Sequence, residues 1–287
     1  MKLSIVVPTL NCLSLTRQLL TSFEDTKPTI SYEVIIIDNA STDGTREFLG
    51  TLKKPYRVVF RDECYSYGAN NNLGAEMANG ELLVLLNNDL ILTQNWLEPM
   101  LKLIESFDNI GCVGNIQLRP ETGLIDHAGI AFNLDGVPFH IHKNRKKLPS
   151  PRYRECNAVT GACIVIKKEI FKKIGGFDER YRNGSEDIDL CMRLRRAGYR
   201  ILVSYESKIY HKVSSSRGRL DHVDTNMALF LKKWQPLTSS WGQLEWPYEY
   251  FHRYARHFWK MTPSRVAMAF YLLCKNRFLP GASPAPR

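Results

Sequence analysis

The chain has no Gly-x-Gly-x-x-Gly after its first apolar run and no Gly-x-x-x-x-Gly-Lys-Ser/Thr at any position. The first absence removes the usual dinucleotide fingerprint, and the second removes the phosphate loop of ATPases and kinases. Apolar runs of about 20 residues, the length that crosses a bilayer, are also missing; the longest late run is Val266 to Cys274. The opening Met1 to Pro8 carries too short an apolar stretch and too early a proline to read as a signal peptide. Cys-x-x-Cys is absent too. The seven cysteines (Cys12, Cys64, Cys112, Cys156, Cys163, Cys191, Cys274) are scattered and odd in number, which predicts reduced, buried thiols and a cytosol-like compartment.

What is present is ample for a packed fold. The 287 residues, 44% of them hydrophobic, suit one large α/β domain or a domain with an appendage. The net charge of +10 is uneven: Lys208 to Arg287 holds 13 Lys/Arg against 4 Asp/Glu. A second basic cluster, Lys143, Arg145, Lys146, Lys147, Arg152 and Arg154, surrounds Pro149 and Pro151 and reads as a flexible basic loop. Such charge suits a phosphate-bearing partner, an anionic membrane surface or nucleic acid, while a solvated basic face is the default for either cluster alone.

Strands and helices alternate along the first part. Ser4–Val7, Glu33–Ile37, Val58–Phe60 and Glu81–Leu86 read as strands. Leu13–Phe23, a stretch through Leu52 and Asn70–Asn79 read as helices. That spacing predicts crossovers and a parallel sheet covered on both faces. Polar residues follow each strand: Thr9 and Asn11, then Asp38 and Asp43, then Asn87, Asn88 and Asp89. Ligands in such sheets bind at the carboxyl ends of the strands. The apolar run Leu82 to Leu92, broken only by Asn87-Asn88-Asp89, fits both a turn and a site, and Asp89 is a candidate for handling a metal or a diphosphate. Asp38 sits directly at a strand end, which favours ligand contact over a helix cap.

Beyond Asn109 the pattern shifts to short β-rich pieces: Cys112–Leu118, a hairpin-like Gly123–Phe139 and Ala158–Ile166. A helix should follow Ser185, which can cap it, and end at Gly198, with Ile188, Cys191, Met192 and Leu194 buried. Glu186 and Asp187 fall in its first turn, where the helix dipole favours ionised carboxylates, although such acids often do no more than stabilise a helix. Arg200–Tyr205 and Lys208–Tyr210 read as strands ending at His211, beside a Ser/Arg/Lys-rich stretch suited to phosphate.

Together these segments resemble the family-2 glycosyltransferases of the GT-A fold. The resemblance rests on Ser4 to Asn11, Val34 to Thr45, Gly80 to Asp89, Gly161-Ala162-Cys163, Gly175 to Glu179, Glu186-Asp187 and His211, in order, over roughly the first three-quarters of the chain. It implies a Rossmann-like, mostly parallel sheet flanked by helices, and transfer of a sugar from a nucleotide-sugar donor to an acceptor hydroxyl with inversion. By the same resemblance Pro8, Thr9, Asn11, Asp38 and Ser41 would hold the nucleoside. Asn70, Asn87, Asn88, Asp89 and Arg217 would join the donor site, Asp89 and His211 would bind Mg²⁺ or Mn²⁺, and Asp187 would be the general base, with Glu186 as an alternative base or an acceptor-orienting group. Asn87 departs from the family pattern, standing where the first carboxylate of Asp-x-Asp is expected. No Gln-x-x-Arg-Trp signature of processive synthases appears at a corresponding position, so single addition is expected. The expected organisation is a GT-A domain over 1–219, with a nucleotide-sugar half (1–110) and an acceptor half (111–219), then a basic, aromatic helical extension over 220–287.

Within the extension, Asp221–Trp234 and Tyr248–Met261 read as two helices. The second interleaves Tyr250, Phe251, Tyr254, Phe258 and Trp259 with Arg253, Arg256, His257 and Lys260. That mixture suits a membrane interface, packing on the catalytic domain, or a second copy of the chain. The resulting expectation is a cytoplasmic enzyme resting on the inner face of the cell membrane, taking a dTDP-linked rhamnose or a UDP-linked hexose to a carbohydrate or lipid-diphosphate acceptor in surface-polysaccharide assembly. A sugar-nucleotide nucleotidyltransferase shares the sheet, but Pro8-Thr9-Leu10-Asn11 lacks its glycine-rich basic loop. A non-catalytic sugar- or nucleic-acid-binding module is supported only by the charge.

Overall fold

The computed structural model describes residues 2–147, 150–212, 221–255 and 258–278. The early apolar runs form β1 (Leu3–Thr9), β2 (Tyr32–Asn39), β3 (Tyr56–Arg61) and β4 (Leu82–Leu86), joined through α1 (Leu13–Asp25), α2 (Thr45–Gly50) and α3 (Tyr67–Met77). The chain continues through β5 (Leu90–Leu92), α4 (Glu98–Ser106), β6 (Ile110–Leu118), β7 (Ile125–His127), β8 (Ile130–Phe132) and β9 (Pro138–His140). Then come β10 (Tyr153–Cys156), β11 (Cys163–Lys167), α5 (Lys168–Lys173), α6 (Glu186–Arg196) and β12 (Arg200–His211).

One sheet runs in the order β10-β12-β6-β11-β4-β1-β2-β3. Strands β12, β6, β4, β1, β2 and β3 point the same way, and β11 and β10 are reversed. The fold is therefore α/β with a mostly parallel mixed sheet. Side-chain alternation along the central strands sorts two cores. Val6, Ile35, Ile37, Leu83 and Leu85 face α3, α5, α6 and a later helix, while Ile5, Val7, Val34, Ile36, Leu82 and Val84 face α1 and α4. Every residue of β4 is at most 2% exposed, as a strand covered on both faces requires.

Several expectations are corrected. The two strands after α6 are one, β12, with a register irregularity between Ser204 and Lys208. The Gly123–Phe139 stretch is split: β7 joins the main sheet against β6, and only β8 and β9 pair as a separate hairpin. The basic loop contains a strand, β10, and much of its charge is tied down. Lys143 pairs with Asp126 at 3.3 Å, Arg154 with Glu249 at 3.0 Å, and Arg145 binds the imidazole and carbonyl of His252.

The C-terminal part differs most. A single helix, α7 (Val223–Tyr254), replaces the two expected and runs through Pro236 and Pro247. Each interior proline removes a backbone hydrogen bond and normally ends or kinks a helix. Here a buried stripe of Phe230, Trp234, Thr238, Gly242, Pro247 and Tyr250 holds both sides of the breaks against the domain. Gly242 is required: a Cβ there would stand 2.0 Å from the carbonyl oxygen of Asn133 in the β8–β9 turn. The expected helix to Met261 stops at Tyr254; a 3₁₀ turn spans Phe258–Lys260, and α8 (Pro263–Phe278), read from sequence only as an apolar run, follows. Among the described residues no helix is long and apolar enough to cross a membrane.

The α7 interface carries a titrating group. Glu245 is half-buried and accepts a hydrogen bond from Asn157 at 2.6 Å; desolvation pushes its carboxyl up to about 7, against the pull of Arg154 and Arg195. An acid with a raised folded pKa loses folding free energy as pH rises from its ordinary value, 4.5, to about 7, because the unfolded chain gives up its proton first. Glu245→Gln should abolish a pH-dependent loss on the order of 2 kcal/mol, less than the full shift because the residue is only half-buried. Urea unfolding of both proteins at about pH 5 and pH 7.5 measures this, and equal pH slopes would contradict it.

Candidate active site

Parallel pairing puts the carboxyl ends of β4, β1 and β2 on one edge. Thr9 is in register with Asp38, and Asn87 leaves β4 with its N–H donated to the carbonyl of Ala162 at 2.9 Å. The chain turns at Asn88-Asp89 and re-enters the sheet as β5, which pairs antiparallel to β12, with Leu90 opposite His211. The interruption in the apolar run is thus a turn, and the turn sets Asp89 beside the end of β12.

Asp89 and His211 are buried, at 7% and 4% exposure, with His211 Nε2 3.3 Å from Asp89 Oδ1. Neither atom has a hydrogen-bond partner. His211 Nδ1 lies 2.8 Å from Gln117 Oε1, and an amide oxygen only accepts, so the imidazole proton is on Nδ1. The lone pair of Nε2 therefore faces a carboxylate oxygen, an arrangement that asks for a proton or a cation. An imidazole fixed through its other nitrogen is how histidine is oriented toward a metal. Among the described residues no group of three or more His, Cys, Asp or Glu is placed to hold one, so the pair could supply two protein ligands, the remainder coming from a bound oxyanion. Thr9 Oγ1, Asp38 Oδ1, Asn87 Oδ1 and Gln117 Nε2 are likewise buried and unpaired at this edge. Native structures tolerate few such atoms, and their concentration here makes this edge the candidate ligand site.

The third part of the site is the start of α6. Asn183, Gly184 and Ser185 all have positive φ, a tight left-handed run that turns the chain into the helix. Ser185 makes no side-chain cap, contrary to expectation; its φ of 70° is not the extended conformation of a capping residue. The carboxylates do that work. Glu186 accepts the N–H of Gly184, and Asp187 accepts those of Gly161 at 2.7 Å and Ile188 at 2.8 Å. A Cβ at Gly161 would sit 3.1 Å from Asp187 Cβ, so the glycine allows this approach.

A cleft of about 360 Å³ gathers Pro8, Thr9, Asn70, Asn87, Asn88, Asp89, Glu186, Asp187 and His211. Asn88 spends its amide on Thr16 at 3.2 Å. Asn11, Asp38 and Ser41 lie outside its lining but form a neighbouring network: Asn11 donates to Ser41 Oγ at 2.8 Å and its Oδ1 accepts from Thr42 at 2.7 Å, while Asp38 stands 3.6 Å from Arg46. Arg217 lies outside the described residues. Sequence reasoning missed Tyr67, Gln117, Asp126 and His140, which also line the cleft, and read Lys143 only as part of a basic loop. Tyr67 donates to the carbonyl of Gly161 at 2.8 Å; burial, then the charges of Glu186 and Asp187, holds its phenol far above the usual range. Asp126-His127 was findable as another polar break between apolar residues, whereas nothing local singles out Tyr67.

The sequence matches the model of glycosyl transferase family 2 over residues 4–175, and residues 141–215 match one described as the N-terminal domain of galactosyltransferase. The Sinorhizobium fredii protein y4gI is 33% identical over 76% of this chain and 25% of its own length. The O-antigen biosynthesis protein RfbC of Myxococcus xanthus is 31% identical over 75% of this chain and 18% of its own. An N-acetylglucosaminyl-diphospho-decaprenol L-rhamnosyltransferase of Mycobacterium tuberculosis is 24% identical over 65% and 68%. The chain thus spans a quarter or less of the first two relatives. Among solved structures, GalNAc-T7 with UDP, GalNAc and Mn²⁺ superposes with TM-score 0.66 at 17% identity, covering 82% of this chain and 48% of that one. The mannosyltransferase PcManGT of Pyrobaculum calidifontis with GDP-Man and Mn²⁺ gives 0.60 at 19%, covering 98% and 76%. Both share the GT-A fold with this chain.

If Asp89 and His211 take a cation, Mn²⁺ added with a nucleoside diphosphate should raise apparent stability by roughly 3 kcal/mol at a hundredfold excess over Kd. Asp89→Ala should lose that response, and Gln117→Leu, which frees the imidazole to rotate, should weaken Mn²⁺ roughly 10- to 100-fold. Thermal melting across a Mn²⁺ titration reads both, and an undiminished response in Asp89→Ala would remove the pair as a cation site.

Proposed function

Because the chain belongs to glycosyl transferase family 2, we propose that it moves one sugar at a time, with inversion, from a nucleoside-diphosphate sugar to an acceptor hydroxyl. The observation that carries this reading is the single cleft holding both the Asp89–His211 pair and Asp187. Residues 1–110 form the nucleotide-sugar half and 111–219 the acceptor-side half, which also lends His211 to the donor diphosphate, and 220–287 form an extension. Thr9, Asn11, Asp38 and Ser41 hold the nucleoside, with Pro8 and Asn70 at the cleft wall. Asp89 and His211 hold Mg²⁺ or Mn²⁺, a choice supported by their orphaned, facing atoms and by the Mn²⁺ in the two structural neighbours. Bound there, the cation supplies Lewis-acid stabilisation of the departing diphosphate.

Asp187 is the general base. It removes the acceptor's hydroxyl proton as that oxygen bonds to the anomeric carbon and the carbon–diphosphate bond breaks on the opposite face. The hydrogen bonds from Gly161 and Ile188 fix its carboxylate in position. Glu186, more deeply buried and turned to Gly184, orients the acceptor. Asn87 contributes a neutral oxygen where a carboxylate is usual, so Asp89 carries the charged contact.

The rhamnosyltransferase and O-antigen relatives support a role in surface-polysaccharide assembly with a lipid-diphosphate-linked acceptor, and the donor we propose is a dTDP-linked rhamnose or a UDP-linked hexose. Such an acceptor lies in a membrane, and the chain has a surface to meet it. Phe258 and Trp259 are 70% and 65% exposed, and Phe270 and Tyr271 58% and 62%, on segments that also carry Lys260, Arg265, Lys275 and Arg277. Exposed aromatics among cations suit an anionic bilayer interface.

Asp187→Asn should keep donor binding and lose transfer by roughly 10²- to 10⁴-fold, measured as sugar transfer beside nucleotide-sugar affinity; near-wild-type transfer would sink the assignment. On phosphatidylglycerol vesicles at low salt, Trp259→Ser with Phe270→Ser should partition roughly tenfold less than wild type, and equal partition would refute the membrane role.

A further inference from the structure

On the wall of the cleft running from β6 to just past β9, only Gln117 has a task in the chemistry above, as the anchor of His211. The wall carries Gln117, Asp126, His140 and Lys143. Gln117 is 1% exposed; its Oε1 is taken by His211 and its Nε2 has no partner. A buried amide donor left so is costly and calls for an acceptor oxygen. Lys143 lies 3.3 Å from the buried carboxylate of Asp126, which Arg119 also grips at 3.1 Å, so two cations share one carboxylate and the wall stays net positive.

His140 is set by a relay. The Nε2 of His127 accepts backbone N–H groups from Gly129 at 3.2 Å and Thr160 at 3.4 Å and therefore carries no proton. Burial above all holds His127 neutral. Its proton must then be on Nδ1, 3.0 Å from Nδ1 of His140, which receives it. With Nδ1 accepting, His140 keeps its own proton on Nε2. Backbone amides thus dictate, through His127, which nitrogen of His140 is a donor.

We infer that Gln117, His140 and Lys143 form a cradle for phosphate oxygens, in which His140 donates through Nε2 and is positioned by His127. The phosphate belongs to the donor's departing diphosphate or to the acceptor, and the bond between Gln117 and His211 favours the donor. This deepens the transferase reading and rests on it.

The test titrates wild-type protein, in EDTA, with UDP and dTDP and with the matching monophosphates. Wild type should bind the diphosphates more tightly. His140→Ala and Lys143→Met should each weaken the diphosphates roughly tenfold and leave the monophosphates unchanged, and His140→Gln, which keeps a donor, should recover part of the loss. Unchanged nucleotide affinities with a similarly raised KM for a lipid-diphosphate acceptor would assign the cradle to the acceptor. No change in either would overturn the cradle. Binding that appears only when Mn²⁺ replaces EDTA would overturn the cradle and leave the transferase reading standing, and a wild type that binds no nucleotide under either condition would remove both. For the relay, ¹⁵N NMR should show His140 protonated on Nε2 in wild type and as mixed tautomers in His127→Phe, whose folding is checked by melting. An unmixed Nε2–H His140 in that variant would overturn His127 as the positioning residue.

Discussion

A carboxylate and an imidazole buried face to face at the end of an apolar sheet are the constraint on which the rest of the site depends. Asp89 and His211 cannot both leave their facing atoms unpaired without cost, and burial denies them water. Their meeting requires three separate pairings. The parallel match of β1 and β4 fixes where β4 ends, β5 must add to β12, and Gln117 on β6 must hold the far nitrogen of the imidazole. Each of these is a long-range contact, so the site exists only once the sheet is complete.

Much of that frame was legible in the sequence, because buried strands and crossover helices leave period and length signals that survive in one chain. The polar break Asn87-Asn88-Asp89 stood out against its apolar flanks for the same reason. Orientation was harder to read. Of the acids opening α6, Asp187 faces the cleft, while Asp189, two residues on, is buried under Lys233, Trp234, Tyr181 and Arg193. Nothing in the spacing alone separates a site acid from one that fastens α7 to the domain. Gln117 and His140 escaped notice because their meaning lies in partners remote in sequence, and Ser185 misled because capping residues are recognised by type whereas the cap depends on φ.

The prolines of α7 show tertiary packing overriding a local rule. Pro236 and Pro247 each forfeit a backbone bond, yet the buried stripe from Phe230 to Tyr250 keeps its place on the core across both. Charge behaves in a similar way. Part of the basic excess is internal mortar, as with Arg154 on Glu249 and Lys233 on Asp178 and Asp189, and part remains on the surface near the exposed aromatics of the last helices.

The fit of Gly242 against Asn133 has a consequence for modular exchange. The β8–β9 hairpin has Ile130 and His140 in the cleft and its turn seated on α7, so this helix is a splint for one wall of the pocket. Swapping or trimming at the start of α7 would unseat that wall even with every cleft residue retained. A junction meant to preserve the pocket belongs after Tyr254, where the helix has finished bracing the hairpin.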